Sequence, residues 1–333
     1  MKLRINIRGL LFTVFAFLSC LFYETSAQPV PGQDENIQFL CTFGKDGETS
    51  WGDDDFSETW FFCIPKDFKG RFYIRVFDPD CGGEHDEGKG DWNTKMQYSL
   101  LGGKGVNPEL PENEESRGVT PARGYKSGTL IASRTFGNER KSDNTYYTFG
   151  PFNPSEGDFS ERWGYIFKFI CDGISGDDGN LYTYYLSRDP NKNVPIEGSN
   201  AFTYEYTFRM WNNTKSVAHI YPYIEEGVTY VKQKNFDWDD DGNILVASRV
   251  RKGVTVVISN ENDWKESRIP VEPEEVGSSL DFQFHKKTDY LVRNNNVVVS
   301  LENQRGDNLK FFAAPIGGVP VYVPKIKATQ IKK

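Results

Sequence analysis

The chain has 333 residues and a formal net charge of −8, with 39 Lys and Arg against 47 Asp and Glu. This acidic balance disfavours nucleic acid and anionic membrane as partners and makes divalent cations the natural complement. An aromatic content of 15% is too high for a disordered chain.

Residues 1–27 read as a cleaved secretory signal. Lys2, Arg4 and Arg8 form a positive start, Gly9 to Tyr23 are apolar, and Thr25, Ser26 and Ala27 offer small residues before Gln28. The apolar run falls short of the roughly 20 residues a membrane span needs and ends at Glu24. Cys20 is followed by apolar Leu21, Phe22 and Tyr23 and preceded by Phe17, a poor lipobox residue, so a soluble mature chain is expected over a lipid-anchored one. Removing three positive charges and one negative leaves 306 residues with a net charge of about −10. That length allows one large domain or two ordinary ones. Two are expected, at 34–190 and 200–326, joined by the polar segment Ser187 to Ser199 with its Pro190, Pro195 and Gly198. Gly105 to Ser127 reads as a long loop inside the first.

Short runs rich in aromatic and β-branched residues dominate the mature chain, bounded by Gly, Asp, Asn and Pro. Examples are Ile37 to Phe43, Thr59 to Ile64, Arg71 to Phe77, Tyr165 to Cys171, Leu181 to Leu186, Phe202 to Met210, Gly253 to Ser259 and Asn296 to Leu301. Phe72, Ile74 and Val76 alternate with Tyr73 and Arg75, the period of a half-buried strand. No long helical period is present. The expectation is an all-β chain of two β-sandwich domains of the jelly-roll or Greek-key kind.

Three acidic loops are the chemical candidates. The first, Asp78 to Asn93, holds Asp78, Asp80, Glu84, Asp86, Glu87 and Asp91. Six like charges in one loop repel one another, and calcium, which takes six to eight oxygen ligands, relieves that repulsion. Gly82 and Gly83 let backbone carbonyls turn inward. A solvated acidic turn has the same composition. The second loop, Asp172 to Asn180, also leaves an apolar strand, so Asp177, Asp178 and Asn180 are candidates to complete the coordination begun by Asp78 and Asp80. A tight Asp-Gly turn is the plainer explanation. The third, Asp237 to Ile244, begins like a DxDxDG calcium loop, with Asp237, Asp239, Asp241 and Asn243 as candidate ligands. Its twelfth position is Ser248 where an EF-hand has Glu, and strands surround it. Glu225 and Glu226 are possible additions.

Cys41, Cys63, Cys81 and Cys171 survive cleavage, an even number in an exported chain, which favours two disulfides. Three connectivities are open. Cys41 with Cys63 is preferred because both lie in nearby apolar strands, and Cys81 with Cys171 because they flank two acidic loops. No CxxC pair suggests a redox motif or a thiolate zinc site.

Other motifs fail on their chemistry. Gly83 to Lys89 has the spacing of a phosphate loop, but Gly90 stands at the Ser/Thr position and three carboxylates would repel phosphate. His85, His219 and His285 are far apart in sequence with no HExxH arrangement, which gives a zinc hydrolase little support. No GxSxG elbow occurs. Paired carboxylates for glycoside hydrolysis are set by space, not spacing, and stay open as the alternative. Most aromatic rings are expected in the core. Trp92 and Trp238, embedded in acidic loops, are candidate ligand-binding platforms.

The segments FYIRVFDPDCGGEHDE, NTKMQYSLLGG and SGDDGNLYTYYLS resemble a module in large cell-surface and outer-membrane proteins of the Bacteroidota. HIYPYI, NFDWDDDGNI and VVVSLENQRGDNLKFFAAPIGG are similar to the region on the C-terminal side of that module in those proteins. The resemblance covers most of the mature chain and implies a calcium-binding, jelly-roll-like surface module whose ligands are the acidic residues named above. Those proteins often continue into an OmpA-like domain, which this chain lacks up to Lys333, so attachment to the cell wall is not expected. The reading is of an exported, non-catalytic envelope protein in the periplasm, at the outer-membrane surface or outside the cell, whose Ca2+-ordered loops serve recognition or adhesion. Its expected partner is a cell-surface glycan or an envelope protein, with no nucleic acid and no membrane span. A secreted glycan hydrolase and a scaffold subunit of an envelope complex are the alternatives.

Overall fold

The computed structural model describes residues 28–48, 56–88, 90–107, 127–238, 241–290 and 295–324. The expected signal segment 1–27 lies outside them, as does the candidate ligand Asp239. Among the described residues there is no α-helix, and none is therefore long and apolar enough to cross a membrane. The protein is all-β, with three antiparallel sheets.

The largest sheet has eight strands. In spatial order they are β16 (Trp264–Pro270), β13 (Tyr230–Phe236), β18 (Asn296–Asn303), β11 (Glu205–Arg209), β1 (Leu40–Phe43), β9 (Gly179–Ser187), β3 (Phe72–Phe77) and β6 (Tyr146–Phe152). The second sheet runs β19 (Phe311–Phe312), β10 (Asn200–Thr203), β2 (Ser57–Ile64), β8 (Gly164–Ser175), β4 (Lys95–Gly102) and β5 (Thr129–Phe136), with β7 (Asp158–Ser160) also paired to β8. The third is β12 (Val217–Ile220), β17 (Asp281–Lys286), β14 (Gly242–Ala247) and β15 (Val254–Val256).

Alternation builds the core. Trp60, Phe62 and Ile64 of β2, Phe72, Ile74 and Val76 of β3, and Phe167, Phe169 and Cys171 of β8 point inward and are at most 1% exposed. Trp60 joins two sheets through its ring, whose centroid is 4.8 Å from Tyr184 on β9 and 4.9 Å from Tyr206 on β11. Aromatic pairs at this spacing contribute about 0.5–1.5 kcal/mol each beyond the burial of their area. Ile244, Val246, Phe282 and Phe284 bring the third sheet into the same core.

The run Phe202 to Met210, expected as one strand, is two. The chain breaks at Tyr204, and Thr203 Oγ1 sits at the corner within hydrogen-bond reach of two carbonyl oxygens, Thr59 at 2.9 Å and Glu205 at 2.7 Å. β10 pairs with β2 in one sheet, whereas β11 pairs with β1 and β18 in the other. Strands from both sides of the polar segment 187–199 therefore share two sheets.

Among the described residues the expected disulfides do not form, and Cys41, Cys63, Cys81 and Cys171 are all buried. Cys41 lies opposite Leu181 in the eight-stranded sheet and packs with Phe43, whereas Cys63 lies between Ile166 and Asn200 in the other sheet. The first expected pair thus occupies separate apolar clusters. Cys81 and Cys171 both join the main core as thiols. Burial pushes the Cys63 thiol up to about 12 and raises Cys81 and Cys171 as well.

Before β1, a 3-10 turn at Gln33–Glu35 turns Glu35 into the protein. Its Oε2 accepts from Gly32 N at 3.1 Å, and Tyr206 donates its hydroxyl to Oε1. A cavity of about 40 Å3 lies beside it, lined in part by Trp60, Tyr184 and Tyr206, and the buried Tyr184 hydroxyl has no hydrogen-bond partner. Burial raises the Glu35 carboxyl to about 8.

Candidate metal centre

Strand β3 ends at Phe77, and Asp78 turns the chain away with a positive φ of 56°. Gly82 and Gly83 continue the turn at φ 150° and 123°, conformations that a side chain would strain. The loop then folds back through Asp86, whose Oδ2 accepts from Gly82 N at 2.6 Å and whose Oδ1 accepts from Leu181 N at 2.7 Å. Glu87 and Gly179 exchange two backbone hydrogen bonds, at 2.9 and 2.8 Å. The loop after β3 therefore docks on the start of β9, beside the turn that joins it to β8.

That turn is tied to the start of β4. Asp178 Oδ2 accepts from Asn93 N at 2.9 Å and Thr94 N at 3.2 Å, and Asp178 N donates to Thr94 Oγ1 at 2.8 Å. Asp177 Oδ1 accepts from Asn93 Nδ2 at 3.1 Å. Asn180 donates from Nδ2 to the Tyr98 hydroxyl at 2.8 Å. Glu87 is paired with Arg209 of β11 and approached by Asn296 Nδ2 at 3.3 Å. Glu84 and Asp91 are exposed.

Asp78 and Asp80 differ from their neighbours. They are 1% and 0% exposed. Asp78 Oδ1 accepts from Asn144 N at 3.0 Å, and Asp80 Oδ2 accepts from Glu139 N at 2.8 Å. Asp78 Oδ2 and Asp80 Oδ1 are buried with no hydrogen-bond partner. A buried carboxylate oxygen left in this state is costly unless a cation or a proton meets it. Burial is the main force that raises both carboxyls, that of Asp80 to about 6, and repulsion from Asp143 adds to it.

Among the described residues no group of three or more His, Cys, Asp and Glu side chains could together hold a metal ion. The acidic loop's buried carboxylate oxygens without a hydrogen-bond partner are Asp78 Oδ2 and Asp80 Oδ1. Calcium takes oxygen ligands of this kind.

The third acidic loop is arranged otherwise. Asp237 Oδ1 accepts from Asn262 N, and Asp241 pairs with Lys286 through Oδ2 while Oδ1 accepts from Thr288 Oγ1 at 2.9 Å. Asn243 lies in β14 opposite His285. Glu225 pairs with Lys310 at 2.8 Å, and Glu226 is exposed. Both oxygens of Asp241 are thus occupied by this chain's own donors. Lys286, a cation 45 positions along the chain, had no signal in the local acidic motif.

Of the two tryptophans singled out, Trp238 is fully buried against Phe284, at 5.6 Å between ring centroids, and presents no face to solvent. Trp92 is partly buried, and its ring covers Gly88.

No protein-family model matches this chain, and no curated protein matches it.

Proposed function

We propose that this chain is an exported, non-catalytic cell-envelope protein whose loops after β3 are ordered by calcium and which acts in recognition or adhesion. The sheets are read as β-sandwiches of jelly-roll type, one centred on 34–190 and one on 200–326, joined through two sheets to which both contribute strands. Asp78 Oδ2 and Asp80 Oδ1 carry the reading: two open, buried carboxylate oxygens in one loop, fitted to a hard cation. The bound ion would neutralise that loop, which Asp86 and Glu87 fasten to the start of β9, and so fix the protein's edge there. The ligand is a cell-surface glycan or an envelope protein, because the acidic balance of −8 disfavours polyanions.

Binding to isolated envelope glycans and membrane extracts, in calcium and in EDTA, tests this function. Capture that needs calcium and is lost in Asp80→Ala, with the glycans left uncleaved, is the expected result. Cleavage products that disappear with loop carboxylate substitutions would instead establish the hydrolase.

A further inference from the structure

His219 and His285 are 66 positions apart in sequence, yet the fold puts them on neighbouring antiparallel strands. In the register of β12 and β17, His219 lies opposite Gln283 and His285 opposite Val217. Residues two apart on a strand share a face, so the two histidines are diagonal neighbours on one side of the sheet, at roughly 7–8 Å between backbones. Both are half-buried and reachable from solvent, and the opposite side of these strands is the core.

A hydrogen-bonded chain connects the two rings. His219 Nδ1 is 2.8 Å from Asp281 Oδ1, and Asp281 Oδ2 accepts from Gln283 Nε2 at 2.7 Å. Gln283 Oε1 in turn faces His285 Nε2 at 3.5 Å. An ionised carboxylate only accepts, so His219 donates Nδ1–H and its Nε2 carries the lone pair. Asp281 is 2% exposed and has both oxygens engaged, which holds the His219 ring in place. A buried carboxylate behind one imidazole nitrogen, with the other nitrogen free, is how proteins orient a histidine for a metal.

We infer that the outer face of β12 and β17 binds a divalent transition-metal cation of the imidazole-seeking class, Zn2+ or Cu2+, between His219 and His285. Asp281 is a positioning residue, and Gln283 is the neighbour that turns to admit the ion. Because no third His, Cys, Asp or Glu joins them among the described residues, water or the Gln283 carbonyl oxygen fills the other positions. Imidazole suits zinc and copper, whereas calcium takes oxygen ligands. This site is separate from Asp78 and Asp80 in both residues and ion.

The test is titration of Cu2+ and of Zn2+ into the metal-free chain at neutral pH in excess calcium, with electron paramagnetic resonance of the copper form. One equivalent with splitting from two nitrogens is expected. Affinity should fall about tenfold or more in His219→Ala and in His285→Ala, and about tenfold in Asp281→Asn, with His85→Ala unchanged. The inference is overturned if the native protein shows one coordinated nitrogen or none, if binding survives in both single histidine variants, or if His85→Ala abolishes it. The native copper spectrum decides the matter even if a variant does not fold.

Discussion

Asp86 fastens the loop after β3 to strand β9, for its Oδ1 accepts the Leu181 amide at 2.7 Å while its Oδ2 holds Gly82 at 2.6 Å. One side chain thereby satisfies two backbone donors from segments far apart in sequence. Asp86→Ala leaves both without it and should cost about 2–3 kcal/mol. Asp86→Asn, which keeps one acceptor, should lose less. Urea unfolding of the three proteins checks the order.

Glu35 should make stability fall as pH rises. Its carboxyl is raised from 4.5 to about 8 in the folded protein by burial. Between those values the folded chain keeps a proton that the unfolded chain has released, so the unfolding free energy decreases with increasing pH. The contribution is complete below about 4.5 and gone above about 8, and its size is on the order of a few kcal/mol. The difference between the wild type and Glu35→Gln, measured by urea unfolding across this range, should show that slope. A flat difference would contradict it.

The four mature cysteines should be protected in the folded protein. Alkylation of the folded protein without reductant should be slow, because Cys41, Cys63, Cys81 and Cys171 are all buried and at least three have raised thiol pKa values. Unfolding without reductant should expose all four to the reagent, read by mass spectrometry. A reducing agent should leave the melting temperature unchanged.

Glu87 and Arg209 form a largely buried ion pair between the first acidic loop and β11. Removing one partner leaves an uncompensated charge, so Glu87→Ala should destabilise by about 3–5 kcal/mol. The double substitution with Arg209→Met should recover part of this loss, which a double-mutant cycle reads directly.

Strand identity was legible where alternation was clean and both faces agreed. Thr59 to Ile64 and Asn296 to Leu301 lie inside β2 and β18, and Arg71 to Phe77 runs only one residue beyond β3. Phe202 to Met210 misled because an unbroken aromatic run hides the corner at Tyr204, where the partners change and the side chains do not. The edge strands β5 and β16 carry a weaker sequence signal because they mix polar and apolar residues, as Leu130 at 60% and Trp264 at 37% exposure illustrate. In the acidic loops composition marked the segments, but it could not separate Asp80, left with an open oxygen, from Asp241, met by Lys286. That distinction depends on which distant residue arrives opposite. Cysteine parity failed for a related reason, since an even number says nothing about which side of which sheet each thiol occupies.

Calcium titration into the EDTA-stripped chain by calorimetry, with thermal melts alongside, tests the central claim most directly. The account predicts binding with a raised melting temperature, lost in Asp78→Ala and in Asp80→Ala and retained in Asp241→Ala, whose carboxylate already serves Lys286. No heat and no shift in the wild-type protein, or binding indifferent to both Asp78 and Asp80, would contradict it.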